Sequence, residues 1–361
     1  MKGLRLYLPP FAPDTSGAAS ILYPASGSVV IIDAGGCAGN ICGFDEPRWN
    51  ELNSASAVFS AGLRDMDAIM GRDDKLIEKI ELAAKQLNIN FVALVSTPVP
   101  AIIGTDLKAL KRMGERKLGL PMLAIATDGT KLYDNGCRLS YLALFKKFTS
   151  AIEATIPQSI GVIGASLMDF SSAELSAIRQ KLQANGYKHI VFYGYDTGID
   201  IYKQAAAMEE NLVIAPAGIA AAKFLKQKFG TPYTIDDPLA ATRLNDSALL
   251  TALNEKKDAT ILLIHQQVAT KALREKLQAR FPKANIHCAT WFTYEPDLAA
   301  SNDVHLKEED VFQALVADLK PDIIVGDALF KRALPFYANA FIPWHHFAVS
   351  GAETCLVPES E

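Results

Sequence analysis

Cysteine is scarce in this chain, with five in 361 residues: Cys37, Cys42, Cys137, Cys288 and Cys355. An odd, thin scatter over so long a chain argues against the disulfide framework of a small secreted domain. Such thiols serve as core filler, reactive groups or metal ligands. Neither sign of charge is in excess. The 36 Lys and Arg against 40 Asp and Glu leave a net charge of -4, which gives no electrostatic footprint for nucleic acid or an anionic membrane. Long apolar runs are missing as well: none reaches the roughly 18 residues that cross a bilayer. The opening MKGLRLYLPPFAPDTSG lacks a secretory apolar core, so a cytoplasmic protein is expected. Neither G-x-G-x-x-G nor G-x-x-x-x-G-K-[ST] occurs, so a dinucleotide fingerprint or an intrinsic P-loop ATPase is not supported, and any nucleotide has to come with a partner.

What the chain does have is alternation. Short apolar runs and amphipathic segments follow one another from end to end, the pattern of parallel sheets covered on both faces. The fold class expected is therefore α/β. SVVIIDAGG reads as a strand ending in a glycine turn, SAVFSAG as a short strand, and FVALVSTP and PMLAIATDG as two more. In DDKLIEKIELAAKQL the spacing puts Leu76, Ile80, Ala83 and Leu87 on one helical face. CRLSYLALFKKFTSAIEA reads as a long helix leading out of this unit. SIGVIGAS, SSAELSAIRQKLQANG and HIVFYGYD form a complete β-α-β sequence, and ATILLIHQQ through NAFIPWHH repeats the logic. Three domains are expected, over residues 1–155, 156–255 and 256–361.

Ligands of open parallel sheets collect outside the carboxyl ends of strands. That rule selects the loops at Gly35 to Asp45, Ser96 to Asp106, Gly164 to Asp169, Gly194 to Asp200, His265 to Gln267, Gly326 to Asp327 and His345 to His346. In the first, Gly35, Gly36, Gly39 and Gly43 let the backbone approach a bulky inorganic group, and Cys37 and Cys42 offer soft ligands of the kind iron takes. Gly36, Cys37 and Cys42 are thus candidate cofactor-binding positions, with Cys37 and Cys42 the candidate metal ligands. A buried thiol or a reversible redox pair are the alternatives at the same two residues. Asp45 is a candidate oxygen ligand, substrate contact or proton donor, against a plain solvated turn leading into a helix near Pro47. His345 and His346 follow the last apolar run and are candidate proton donors or metal ligands. Adjacent residues of an extended segment point opposite ways, so at most one of them faces a common cleft. Cys137, Cys288 and Cys355 have no sequence neighbours of that kind and read as structural.

Taken in order, the blocks FAPDTSGAASILYPASGSVVIIDAGGC, VFSAGLRDMDAIMGRDDKLIEKI, LVSTPVPAIIGTDLKAL, SIGVIGAS, FLKQKFGTPY and KPDIIVGDALFKRAL resemble the nitrogenase component 1 superfamily. That superfamily holds the nitrogenase α and β subunits and the light-independent protochlorophyllide reductase subunits. The resemblance implies three Rossmann-like domains with parallel four- to five-stranded sheets flanked by helices. It also implies a subunit that pairs with an identical or homologous one around an iron-sulfur cluster, of the [4Fe-4S] type. Electrons would come from a separate ATP-hydrolysing iron protein, and an unsaturated small-molecule substrate would lie between the domains. Cys37 falls on the family's Gly-Cys cluster ligand. Phe11 stands where its first cluster cysteine is expected, and Thr97, before Pro98, where its Cys-Pro ligand is expected. No thiol stands at Ile214 or Ala215, where nitrogenase's α subunit holds its catalytic cofactor, so dinitrogen is not the expected substrate. With two ligands missing, Cys42 is the local replacement, and two copies of the chain would supply four thiolates, the number a [4Fe-4S] cluster takes. Two functions follow: a nitrogenase-like reductase subunit, or a scaffold that binds or assembles a metallocofactor or tetrapyrrole without turnover.

Overall fold

The computed structural model describes residues 5–33, 35–43, 48–52, 54, 56–63, 71, 73–87, 89–151, 154–245 and 247–352. Among these, three parallel sheets follow one another along the chain. The first has the order β2-β1-β3-β4, from β1 (Ser28–Ile32), β2 (Ala57–Ser60), β3 (Val92–Ser96) and β4 (Met122–Ile125). The second runs β6-β5-β7-β8, from β5 (Ile156–Ile163), β6 (His189–Tyr193), β7 (Met208–Val213) and β8 (Tyr233–Ile235). The third runs β11-β10-β9-β12-β13, from β9 (Thr260–Ile264), β10 (Asn285–Thr290), β11 (Val304–His305), β12 (Ile323–Gly326) and β13 (Ala340–Pro343). In the first sheet Ser28 lies opposite both Ala57 and Val92, so β1 is a central strand. All five residues of β1 and of β3 are buried. This is why these strands read as unbroken apolar runs: both faces are covered by helices, and neither face has room for a polar alternate.

The flanking helices start and stop where their sequences direct. The Asp106 carboxylate accepts the amides of Lys108 and Ala109 at 2.9 Å each, and the helix Leu107–Leu118 ends on Gly119 at φ 68°. Ser171 and Glu174 exchange side-chain bonds with each other's amides at the start of Ser172–Ala184. In the helix Asp73–Ala84 the buried pair is Ile77 and Ile80. Leu87, expected on that face, lies beyond the helix end and is 37% exposed. The long helix expected from Cys137 begins earlier, at Tyr133, and stops at Phe148. Just past that end, Thr149 turns its hydroxyl onto the Tyr202 carbonyl at 2.9 Å.

Helix α1 (Asp14–Leu22) is buried at every residue and lies on Tyr133–Phe148 with the backbones in contact. A methyl group at Gly136 would sit 1.8 Å from the Asp14 carbonyl oxygen, and one at Gly17 would sit 1.9 Å from that of Tyr133. The same long helix reaches the second sheet, where the Tyr141 hydroxyl donates to the Tyr193 carbonyl at 2.9 Å. One hydrophobic cluster accordingly contains Val29 and Ile31 of the first sheet, Ile163 and Val213 of the second, and Leu262, Ile264 and Ile324 of the third. At the chain's start, the amides of Leu6, Tyr7 and Leu8 all donate to the Glu309 carboxylate at 2.9 to 3.1 Å. The helix pair gives a direct test. Gly136→Ala forces two backbones apart, and urea unfolding should show a loss of about 3 kcal/mol or more. A loss within about 0.5 kcal/mol, the range of an ordinary surface change, would contradict the close approach.

Candidate functional site

The glycine-rich stretch after β1 is a helix, not a loop. Residues Gly36–Gly43 form α2, where an open turn is expected from the sequence. The physical reason lies three residues before its start. Gly35, at φ 124°, has no side chain to cap the helix, and the buried Asp33 carboxylate takes the Ala38 amide at 2.7 Å in its place. The other carboxylate oxygen of Asp33 accepts the Ser60 hydroxyl at 2.6 Å, which pins the helix to the ends of both β1 and β2. Ala38 and Ile41 face inward, while Gly36, Gly39, Asn40 and Cys42 are exposed and Cys37 is half-buried. Five residues of helix separate the two thiols by about 140° around the axis, so they do not converge on one ion within one chain. Burial, and then the charge of Asp33, push the Cys42 thiol above its ordinary range.

The two positions that lack a cysteine are firmly built. Phe11 is buried among Trp291, Phe292 and Phe330, at ring separations of 5.6, 6.4 and 6.2 Å, under the Arg5 guanidinium at 4.0 Å. Thr97 is buried and donates to the Ile32 carbonyl at 2.8 Å. Neither is a ligand for iron. Among the described residues no group of three or more His, Cys, Asp or Glu is arranged to hold a metal ion. The described residues of one chain therefore do not fit a complete cluster site. Cys137 and Cys288 are buried free thiols raised by burial, Cys288 to about 12, as structural thiols are. Asp45 and Cys355 lie outside the described residues.

A second constellation sits where the carboxyl ends of the three sheets meet. Its center is His346, which follows β13 and caps the short helix Phe347–Ser350. Its Nδ1 accepts the Ala348 amide at 3.2 Å, which leaves the proton on Nε2, 3.1 Å from the Tyr133 hydroxyl. Tyr133 in turn donates to Asp169 at 2.5 Å, and Asp169 lies 3.5 Å from His346. Phe292 packs on both rings, at 5.1 Å from Tyr133 and 4.6 Å from His346. Asp327 accepts the His346 amide at 2.9 Å and the Ser350 hydroxyl at 2.6 Å. His345 points the other way, 31% exposed at its side chain, with Nδ1 3.7 Å from Asp327. Of the expected strand-end loops, those at Asp169, His265, Asp327 and His345 to His346 are brought together here. Tyr133 is the member that sequence reasoning missed, since it opens a helix beside no motif.

Burial, the neighboring His346 and Arg243 hold the His265 imidazole well below its ordinary titration range. Its ring stacks on Trp344 at 4.2 Å and its Nε2 faces the His345 carbonyl at 3.3 Å. Arg243, which is paired with Glu174 and Asp237, also lies over the Trp344 ring, at 5.0 Å. Burial, and then Asp169 and Asp134, push the Tyr133 hydroxyl far up, so it stays protonated and serves as a donor.

Comparison with known proteins places this architecture. The family model described as nitrogenase component 1 type oxidoreductase matches residues 14–281. The chain belongs to the nitrogenase component 1 type oxidoreductase family. Two solved structures of nitrogenase Cp1 superpose on it. The one at pH 6.5 has a TM-score of 0.69 and 10% identity and covers 95% of this chain and 87% of that one. The one at pH 5 has a TM-score of 0.65 and 14% identity and covers 94% and 84%. At those identities the likeness is one of fold. Among curated relatives, the nitrogenase iron-molybdenum cofactor biosynthesis protein NifE of Klebsiella pneumoniae is 28% identical over 277 residues, 68% of this chain and 58% of the relative. The NifE of Methanosarcina barkeri is 22% identical over 233 residues, 60% and 50% of the two chains. That of Rhodobacter capsulatus is 27% identical over 201 residues, 51% and 41%. The chain thus spans about half the length of the curated relatives it matches. No helix among the described residues is long and apolar enough to cross a membrane.

The electrostatics of His265 have a measurable sign. Its folded titration range is depressed, so below the ordinary histidine value the unfolded chain takes up a proton that the native state refuses. This contribution to stability is complete above about pH 6.5 and falls as pH drops below it, by up to ~1.4 kcal/mol per pH unit for this one group. In nuclear magnetic resonance titration the His265 ring signals should keep their neutral positions through the pH range in which an ordinary histidine takes up its proton. A His265 that titrates at an ordinary value would refute the buried neutral assignment.

Proposed function

We propose that this chain is a metallocofactor-handling scaffold, whose cargo is an iron-sulfur cluster or a cofactor built on one, and that it holds that cargo at α2 through Cys37. The observation that carries this reading is the ligand inventory. Phe11 and Thr97 are packed and bonded as structural residues, and Ile214 and Ala215 offer no thiol. What is left at the expected place is Cys37 and Cys42 on one partly exposed helix. The names of the curated relatives, which are cofactor biosynthesis proteins, support the same side. With its two thiols about 140° apart, one helix supplies too few converging ligands for a [4Fe-4S] cluster, which takes four thiolates. The ligand set is therefore completed by a second chain, either an identical copy across a two-fold axis or a homologous subunit. Gly36, exposed beside Cys37, leaves room for that approach. The domain boundaries near 155 and 255, and a cytoplasmic setting in which the thiols stay reduced, belong to the same proposal.

The second reading is a reductase subunit, favored by the oxidoreductase description of the family. It takes electrons from an ATP-hydrolysing iron protein, reduces an unsaturated small molecule, and uses Asp45, His345 or His346 as proton donors. His345 is the more accessible of the two histidines, because both ring nitrogens of His346 are already engaged.

Anaerobic reconstitution with ferrous iron and sulfide tests the proposal. About four irons and four sulfides per pair of chains are expected, and Cys37→Ala should load less than a tenth of that. Cys42→Ala tests the second thiol: loss of loading assigns Cys42 as a ligand beside Cys37, and full retention leaves Cys37 as the one thiolate that each chain supplies. A Cys37→Ala protein that keeps its full complement of iron would overturn the reading. The loaded protein should also pass its cluster to an apo-acceptor. Reductant-dependent turnover with retained iron would favor the reductase instead.

A further inference from the structure

The hydrogen-bonded chain at the junction takes one residue from each sheet's surroundings. Tyr133 begins the helix that leaves the first sheet, Asp169 follows β5 of the second, and His346 follows β13 of the third. The donors run in one direction, from His346 Nε2 to the Tyr133 hydroxyl and from that hydroxyl to the Asp169 carboxylate. The side chains of His346 and Asp169 are both almost fully shielded from solvent, and Phe292 closes the space between the rings. A charge-assisted bond in such a dry setting is stronger than the same bond at a surface. The chain leaves His346 with no nitrogen to offer, since Nδ1 is spent on Ala348 and Nε2 on Tyr133.

We propose that Tyr133, Asp169 and His346 form a latch that holds the three sheets closed on one another, and that the latch must open before His346 can touch anything brought to the junction. The charged and titratable groups around it include Asp134 and Cys137 on the same helix, His265 at the end of β9, Asp327 at the end of β12, His345, and Arg48, which bonds the Leu167 carbonyl and lies over the Phe347 ring. Asp134 adds a second tie of the same kind, accepting the Thr293 amide at 2.5 Å. The closure itself is independent of any cargo. The access it gives to His346 is separate from the thiols on α2.

Hydrogen-deuterium exchange of the full chain, read by mass spectrometry, tests the two parts separately. Tyr133→Phe removes only the hydroxyl, and exchange in the peptide Trp344 to Ser350 and around Thr293 should quicken about tenfold or more, the effect of one lost bond to a charged group. Tyr141→Phe is the matched control. It deletes an equally buried hydroxyl that bonds the Tyr193 carbonyl instead, and should leave those peptides at their native rates. Asp169→Asn keeps the shape and weakens the acceptor, so it reports on the latch if Tyr133→Phe folds poorly. Native rates at the junction in both Tyr133→Phe and Asp169→Asn, or a quickening equal to that of Tyr141→Phe, would overturn the latch. In the Tyr133→Phe chain the His346 ring should also react with diethyl pyrocarbonate several-fold faster, while cluster loading at α2 stays unchanged. Quickened exchange with His346 still unreactive would overturn the control of access and leave the closure standing.

Discussion

The contact between α1 and the helix Tyr133–Phe148 is a backbone-to-backbone one, and the placement of nearly everything at the junction depends on it. With Gly17 and Gly136 at the crossing there is no side chain to act as a spacer. Ser20 and Cys137 fill the flanks at 3.8 Å from each other, and Ser20 reaches Ser166 of the second sheet's loop at 3.3 Å. This close approach sets the depth at which the long helix lies, and its first residue is Tyr133. A shift of one ångström here would carry the Tyr133 hydroxyl out of hydrogen-bond range of both Asp169 and His346, since such bonds weaken steeply beyond about 3.2 Å. Small residues at one crossing thus fix a polar contact at the helix start.

Buried carboxylates do most of the tying between segments. Asp14 accepts the amides of Asp128 and Gly129, Asp33 that of Ala38, Asp327 those of Leu329 and His346, and Glu309 those of Leu6, Tyr7 and Leu8. Each closes a loop whose amides would otherwise be stranded away from water. An ionised acid is the strongest acceptor available for the purpose. The result is that most of the acids a sequence reader would nominate for chemistry are consumed by structure. Asp169 differs: its hydrogen bond is to a tyrosine hydroxyl in a neighboring unit, a contact that can be broken without unfolding a loop.

Much of this was legible in the sequence, and the exceptions have physical causes. The unbroken apolar runs of β1 and β3 announced strands buried on both faces, and the strand-end rule singled out four loops that the structure gathers. The helix at Gly36–Gly43 was not legible. Four glycines in nine residues argue for a turn by propensity, and the cap that overrides them comes from Asp33, outside the stretch. Tyr133 was invisible for a different reason. Its role depends on where two other units place Asp169 and His346, and no local pattern encodes that. Leu87 illustrates the limit of periodicity: the helical spacing continued past Ala84, but the helix did not.

The two candidate centers are chemically unlike, and the difference bears on the proposed function. At the junction Tyr133, Asp169 and His346 are paired with one another and packed among aromatic rings, so a substrate has to displace protein before any proton of theirs can reach it. At α2 the thiols stand at the surface, on a helix whose outer face is nearly bare backbone. A reductase needs its substrate sealed from water at the moment of electron transfer. A scaffold needs its cargo within reach of the protein that delivers it and the one that collects it. Thiolates bind iron strongly, yet ligands from two separate chains can be withdrawn one chain at a time. In the proposed scaffold, a partly exposed and incomplete ligand set would suit the transfer of a cluster better than its permanent retention, and would tie the release of cargo to the separation of the partners.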